Sequence, residues 1–384
     1  MIQITDLDKC CGCTACASIC PHGAISMRGD ALGFQYPQVD AAKCVECGLC
    51  EKVCAFVPDV EKHTPLAKDI QLEVVAVKHN DPNVVKSSQS GGAFTAISDI
   101  ILEEGGVVYG AAYRADHTVG HVRACTKDER DALRGSKYTQ SDMDGVFRLV
   151  RADLQNGLKV MFTGTPCQVA GLKSYIPQSL QRNLLLVDIV CHGVPSPAIW
   201  KDYLKYMGRK GEIVKAVFRD KTEGSWRDHK ESFTYANGKK LTPDTYRVLF
   251  HKNIMLRHSC AACPYDAFSH LSDITIADFW GVEEILPQMD GTDGTSMVFC
   301  NSDKGQELFD KAAQSLKKQN AVLSYDFMAR RNPNLISPAK IYKDRMKFEE
   351  AYQAKGFLYV ARRWGDLGWR YRMWLLKRFI LGKR

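Results

Sequence analysis

A small α+β domain joined to an α/β domain with a mixed sheet is the fold class this sequence predicts, and three observations predict it. Two cysteine quartets of identical spacing fall within residues 10–54. From residue 72 to 320 the chain alternates strand-like and helix-like stretches. Between them, Pro58, Pro65 and mixed charge show neither period, which places a linker at 59–71. With 384 residues, 45% of them hydrophobic, the chain has enough material for two or three domains with sizeable cores.

The 15 cysteines do not suit a disulfide scaffold, which is usually short and follows a signal peptide. Residues 1–9 lack the basic start and apolar run of such a peptide, and no stretch approaches the ~20 apolar residues of a membrane span. A reducing cytoplasm is the expected location.

Each quartet reads Cys-x2-Cys-x2-Cys-x3-Cys: Cys10, Cys13, Cys16, Cys20, then Cys44, Cys47, Cys50, Cys54. Three thiolates at intervals of three on a tight loop can face one iron–sulfur cube. The fourth lies on the next helical turn and points away, so in two-cluster ferredoxins it completes the other cluster. Pro21 follows Cys20, as is common there, whereas Ala55 follows Cys54. The expectation for residues 1–58 is a ferredoxin-like domain with one 4Fe-4S cluster on Cys10, Cys13, Cys16 and Cys54 and a second on Cys44, Cys47, Cys50 and Cys20. Structural zinc, the alternative, prefers two pairs across a longer gap. Cys11 is out of register and is expected to pack beside a cluster without ligating it.

The second domain begins at Leu72. "LEVVAV" reads as a strand, "SGGAFTAISDIILEEGG" as a helix with Ser90 as N-cap, and "VVYGAAY" as a strand. There follow the helix "SDMDGVFRLVRADLQNG", the strand "LKVMFTG", the helix "CQVAGLKSYI", the buried strand "LLLVDIV" and the helix "SPAIWKDYLKYMG". Between Glu212 and Thr242 the period changes to two, with "ANGK" as the turn of a hairpin, and "SDITIADFWG" is one more strand. Ligands of open α/β sheets gather at the carboxyl ends of strands. "TGTPCQ" (163–168) and "CHGVPS" (191–196) stand there, each leading from a strand into a helix. Their backbone N–H groups and the hydroxyls of Thr163, Thr165 and Ser196 are candidates to hold phosphate. Ordinary strand-to-helix turns share this composition.

Seven stretches taken in order carry a resemblance: "SGGAFTAI", "GSKYTQS", "TGTPCQVAGL", "DIVCHGVPSPAIW", "FRDKTEGSW", "SCAACPYDAFSHLSDITIADFWG" and "DGTSMVF". Together they resemble the beta subunit of coenzyme F420-reducing hydrogenase and its relatives, the F420-dependent dehydrogenases and certain chlorophyll-pathway reductases. The resemblance implies FAD in the α/β domain, which becomes a flavin-binding domain over 72–320. Matched position by position, it implies flavin contacts from Ser90, Gly91, Gly92 and Thr95; from Ser136, Lys137, Tyr138 and Ser141; from Thr163, Gly164, Thr165, Pro166 and Gln168; and from His192 and Gly193. Glycines admit backbone to a pyrophosphate, Lys137 would offset its charge, and Tyr138 offers an aromatic plane.

Cys167 and Cys191 sit at equivalent strand ends, and Cys260-x2-Cys263 with Pro264 is a compact pair. With the metal centres of the similar proteins in view, these four become candidates for a third 4Fe-4S cluster; structural zinc and buried free thiols are the alternatives. Cys125 and Cys300 fall in β-like runs and are expected in the core. Asp188 and Asp278 read as hydrogen-bonded strand-end carboxylates. His192 is the candidate for proton transfer, since a histidine can titrate near neutrality.

The formal charge of +8 is concentrated at the end of the chain: Gly356 to Arg384 holds eight Lys or Arg against Asp366 alone. The body, with no basic docking face or motif, points away from nucleic acid. Three of the six tryptophans (Trp364, Trp369, Trp374) lie in the same tail, which makes 321–384 an extension suited to a membrane surface, a partner, or a second copy of the chain. The expected function is an iron–sulfur flavoprotein oxidoreductase exchanging electrons with a redox partner protein or small carrier and acting on an organic substrate or deazaflavin. The alternative is a non-catalytic electron-transfer subunit.

Overall fold

The computed structural model describes residues 1–56, 66–265, 270–369 and 373. Part of the expected linker, and most of the basic aromatic tail beyond Trp369, lie outside the described residues.

The N-terminal domain pairs β1 (Ile25–Gly29) with β2 (Gln35–Val39) in an antiparallel hairpin. Each cysteine loop ends in a short helix, Ala15–Ile19 or Leu49–Lys52. The two loops repeat one backbone trace. Gly12 and Glu46, and then Thr14 and Gly48, occupy the left-handed region at φ 69°, 53°, 70° and 72°. That conformation is unusual for Thr and Glu and turns the chain so that successive thiols face inward.

The larger domain is built on an eight-stranded sheet ordered β13-β3-β12-β11-β7-β6-β4-β5. Its strands are β3 (Gln71–His79), β4 (Val107–Tyr113), β5 (Val119–Ala124), β6 (Val160–Gly164), β7 (Leu184–Ile189), β11 (Ile274–Asp278), β12 (Ser296–Cys300) and β13 (Leu316–Ser324). The central pairs β4/β6, β6/β7 and β7/β11 are parallel and the others antiparallel, so the sheet is mixed. The two-residue period sorts the central strands cleanly. Val107, Tyr109, Val160, Phe162, Leu184 and Leu186 face the helices Val146–Gln155 and Pro166–Tyr175. Val108, Met161, Leu185 and Val187 face the helices Ala93–Glu103 and Asp303–Ala312. Cys11, Cys13, Ala15 and Val53 join the first of these cores, so the small domain is docked onto that face of the sheet.

A separate three-stranded sheet, β8 (Ile213–Val217), β9 (Ser232–Tyr235) and β10 (Lys240–Leu241), contains the expected hairpin. Its aromatic side packs on the helices Pro197–Gly208, Thr245–His251 and Arg345–Arg363 around Trp200, Tyr203, Phe233, Tyr246 and Phe357. Leu32 and Phe34 of the small domain enter the same core.

Three sequence expectations change. Ser90 does not cap the helix: Gly92, at φ 90°, holds the cap position, and Ser90 Oγ instead meets Ser296 Oγ at 2.9 Å across to β12. Cys125 is exposed beside Glu129 rather than in the core, because β5 ends at Ala124. The boundary at residue 320 cuts β13, whose residues 321–324 pair with β3; the helix Arg345–Arg363 then contributes Phe348, Phe357 and Val360 to the aromatic core. Among the described residues, no helix is long and apolar enough to cross a membrane.

Candidate functional site

The eight N-terminal cysteines divide between two small cavities in the crossed manner. Cys10, Cys13, Cys16 and Cys54 line one, closed over by Ile2, Met27 and Phe56. Cys20, Cys44, Cys47 and Cys50 line the other. The first is the drier: Cys13 and Cys16 are buried, whereas Cys47 is exposed on the rim of the second. Burial raises the Cys16 thiol well above its ordinary range, so ionising it calls for a cation close by.

Cys167, Cys191, Cys260 and Cys263 line a third cavity together. Cys167 opens the helix after β6 and Cys191 follows β7, while Cys260 and Cys263 come from the turn 258–263. Burial pushes Cys260 up to about 11. Among the described residues, no three His, Cys, Asp or Glu groups converge tightly enough to hold a single ion. Each set offers four soft thiol donors, the donor chemistry of a 4Fe-4S cube; in the first, the Cys13 thiol also packs against Gly171.

The fourth cavity, about 730 Å³, opens along the carboxyl ends of β4, β6, β7 and β11. Among the residues implied by the resemblance, Ser90, Gly92, Ser136, Lys137, Tyr138, Ser141, Thr163, Gly164, Thr165, Gln168, His192 and Gly193 line it. Three do not. Gly91 lies flat on the sheet, where an added Cβ would meet the Val77 carbonyl oxygen at 2.1 Å. Thr95 is buried one helical turn back and its hydroxyl accepts from Arg134 Nε at 3.0 Å. Pro166 faces the third cavity beside Cys167.

The roles of several lining residues also differ from the expectation. Lys137 Nζ donates to the carbonyls of Ala132, Leu133 and Arg134 at 3.1, 3.0 and 2.8 Å, closing the end of the helix Lys127–Asp131; burial lowers it to about 7. It is committed to this turn rather than free for a phosphate. The Thr163 hydroxyl donates to the Tyr109 carbonyl and the Ser196 hydroxyl to the Leu32 carbonyl, so neither is spare. Thr165 forms a capping box with Gln168. The Tyr138 ring packs edge-on against Phe218 and His229, and its hydroxyl accepts from Arg219. His192 stands where the third and fourth cavities meet, as do Cys191, Gly193 and Asn334.

Several residues were not singled out from the sequence. Arg219, 4% exposed, is paired with Asp278 and lies over the Trp280 ring at 5.0 Å, and Trp280 stacks on Trp226. His229 and His251 meet at 2.7 Å; burial and the neighbouring Arg219 and Arg247 keep both rings neutral, His251 down to about 4. His121 is fixed between Ser141 Oγ and the Thr163 carbonyl, both at 2.8 Å, with burial lowering it to about 4. Asp188 is fully buried and bonded to His270 at 2.7 Å and Thr275 at 2.6 Å, in the structural role expected of it. The stretch "FRDKTEGSW" was the available signal for Arg219 and Trp226; isolated histidines gave none.

Three family models match the chain: a 4Fe-4S dicluster domain over residues 9–56, the N-terminal part of the coenzyme F420 hydrogenase/dehydrogenase beta subunit over 74–148, and the C-terminal part of the same subunit over 157–322. Among curated proteins, the chain is 23% identical over 331 residues to the coenzyme F420-dependent sulfite reductase of Methanocaldococcus jannaschii, covering 82% of this chain and 47% of that protein. The chain thus spans about half the length of that relative. It is 21% identical over 330 residues to one of the subunits of the F(420)H(2) dehydrogenase of Methanosarcina mazei, covering 82% and 85%. A chain of the F420-reducing NiFe hydrogenase complex from Methanosarcina barkeri aligns over 78% of this chain and 93% of its own length, at 19% identity and a TM-score of 0.48.

Proposed function

Because the chain belongs to the family of coenzyme F420 hydrogenase/dehydrogenase beta subunits and carries a 4Fe-4S dicluster domain, we propose that it is an iron–sulfur flavoprotein oxidoreductase subunit with three 4Fe-4S clusters and FAD. It would exchange single electrons with a redox partner protein or small carrier and act on an organic substrate or deazaflavin-type cofactor. When bound, clusters move electrons singly and a flavin converts them to two-electron chemistry.

The observation that carries this reading is the serial arrangement of the cavities. Cys11 and Phe56 line both the first and the third, and Cys191 and His192 line both the third and the fourth. The exposed rim at Cys47 is the natural point of exchange with a partner. In the fourth cavity, Gly92 opens the helix Ala93–Glu103, whose first N–H groups suit a pyrophosphate. Tyr138 and Trp280 supply aromatic surface beside the Arg219–Asp278 ion pair. A dedicated electron-transfer subunit has no need of so large an open cavity beside His192, His229 and His251, which favours the enzyme reading. Thiol-rich sites of this kind require a reducing compartment such as the cytoplasm.

Iron, acid-labile sulfide and flavin counted on anaerobically purified protein test the proposal. Three cubes' worth of iron and one FAD per chain are expected. Protein without sulfide, and without a yellow chromophore released on denaturation, overturns it.

A further inference from the structure

Arg257 is fully buried, 0% exposed, at the seam between the two domains. Its Nε donates to the Cys10 carbonyl at 2.7 Å, Nη1 to Gln140 Oε1 at 3.0 Å, and Nη2 to the Gln35 carbonyl at 2.9 Å; Nη2 also lies 3.6 Å from Cys10 Sγ. Gln140 is oriented toward it because its Nε2 donates to the Cys11 carbonyl at 2.8 Å. The guanidinium rests on the Tyr36 ring, 4.3 Å from its centroid, and a Cβ on Gly12 would meet Nη1 at 2.9 Å. A glycine in the cysteine loop thus makes room for this one side chain.

These acceptors are three neutral oxygens and one sulfur. A guanidinium does not shed its proton in a protein, and a buried charge without a counter-charge is strongly disfavoured. Asp30 acts on it only through space, and Arg257 also lines the third cavity; the group in contact with its guanidinium that can carry negative charge is the Cys10 thiol of the first set. The backbone of Arg257 serves the third set as well: its N–H donates to the Val194 carbonyl at 2.9 Å, and its carbonyl accepts from Cys260 N at 3.1 Å. One residue thus braces the Cys10 loop with its side chain and the Cys260 turn with its main chain.

We propose that Arg257 is a positioning residue that sets the reduction potential of the cluster held by Cys10, Cys13, Cys16 and Cys54. This rests on reading those thiols as cluster ligands. Reduction adds one electron from the donor, breaks no bond and moves no proton onto Arg257. Burial alone disfavours that added negative charge, and the guanidinium opposes the effect from inside the same low-dielectric seam, where its field is little screened. At the outer set, with Cys47 exposed, water does this work instead.

The full-length protein, loaded anaerobically, is first analysed for iron and sulfide; that count alone tests the ligand reading. EPR-monitored redox titrations then compare Arg257→Gln, Arg257→Lys and Gln140→Leu, with the outer cluster's signal assigned by the spectrum that Cys47→Ser perturbs and the third cluster's by the one that Cys263→Ser perturbs. In R257Q the ratio of reduced to oxidised inner cluster at a fixed ambient potential falls at least tenfold, 59 mV for one electron, while the outer cluster does not move. R257K, which keeps the charge, stays within threefold of the parent, and Q140L, which removes only a neutral partner, within twofold. R257Q with full iron and an unmoved ratio overturns the proposal, and so does R257K falling as far as R257Q. If R257Q fails to hold iron, R257K decides: full iron with the ratio retained supports the role of charge, and loss of iron there too refutes it.

Discussion

His192 Nε2 stands 2.7 Å from Asn253 Oδ1, and Asn253 is itself fixed, because its Nδ2 donates to the Lys340 carbonyl at 3.0 Å. The imidazole therefore donates from Nε2. Its Nδ1 lies 3.1 Å from the side-chain amide of Asn334, which can turn to present either atom, and so is the ring position able to give or take a proton. His192→Gln is expected to lower steady-state turnover with a two-electron acceptor by about a hundredfold or more, while dithionite still bleaches the iron–sulfur absorbance at the parent rate. Unchanged turnover removes the assignment.

Cys263 contributes one of four thiols to the third cavity. Cys263→Ser should reduce iron by one cube per chain, leaving the N-terminal sets loaded and slowing flavin reduction from that end. Iron content equal to the parent's would leave Cys263 as a free thiol.

Asp278 is the carboxylate partner of Arg219, whose side chain is 2% exposed. Removing one member of such a buried pair costs about 3–5 kcal/mol, because the other charge is left uncompensated. Asp278→Asn should therefore lower the apparent Tm by about 6 °C or more. A double replacement, Arg219→Met with Asp278→Leu, should recover most of that loss. A D278N protein melting with the parent would show that Arg219 finds another counter-charge.

Glu231 is buried beneath the three-stranded sheet, accepting from the Tyr203 hydroxyl at 2.6 Å and from Tyr246 N at 3.2 Å. Burial pushes its carboxyl up to about 8 from an ordinary 4.5. Between those values the folded protein keeps a proton that the unfolded chain has lost, so this group's contribution to stability is full below pH 4.5 and declines as pH rises toward 8. Glu231→Gln stays neutral throughout. Its Tm relative to the parent should rise by several degrees between pH 5 and pH 8, reflecting a few kcal/mol at about 1.4 per unit. A pH-independent difference would mean that Glu231 is ionised at both.

The parts of this molecule legible in the sequence are those set by local repetition. The quartet spacing alone implied that Cys20 and Cys54 would exchange partners; Cys20 lines the cavity of Cys44, Cys47 and Cys50, and Cys54 that of Cys10, Cys13 and Cys16. The central strands were found because, buried on both faces, they read as short continuous apolar runs between turns, as in β7. β13 was missed because at the sheet edge the consecutive exposed residues Lys317 and Lys318, followed by exposed Asn320, read as loop. At the site, the resemblance located the turns but not the side-chain duties. Lys137 and Thr163 line the cavity yet bond to nearby backbone, and no local motif reports such pairings. Arg257 and Gln140 were invisible for a similar reason: their partners are 247 and 129 residues away.

Under the proposed ligand sets, the interleaving of Cys20 with Cys44, Cys47 and Cys50, and of Cys54 with Cys10, Cys13 and Cys16, sets an order of completion during synthesis. As the chain leaves the ribosome, the exposed donor set becomes whole once residue 50 has emerged. The buried set, whose first three thiols were made earliest, stays open for four residues more. In the proposed scheme the inner chamber is therefore sealed last, and a released chain ending at residue 53 would hold only the outer donor set in full.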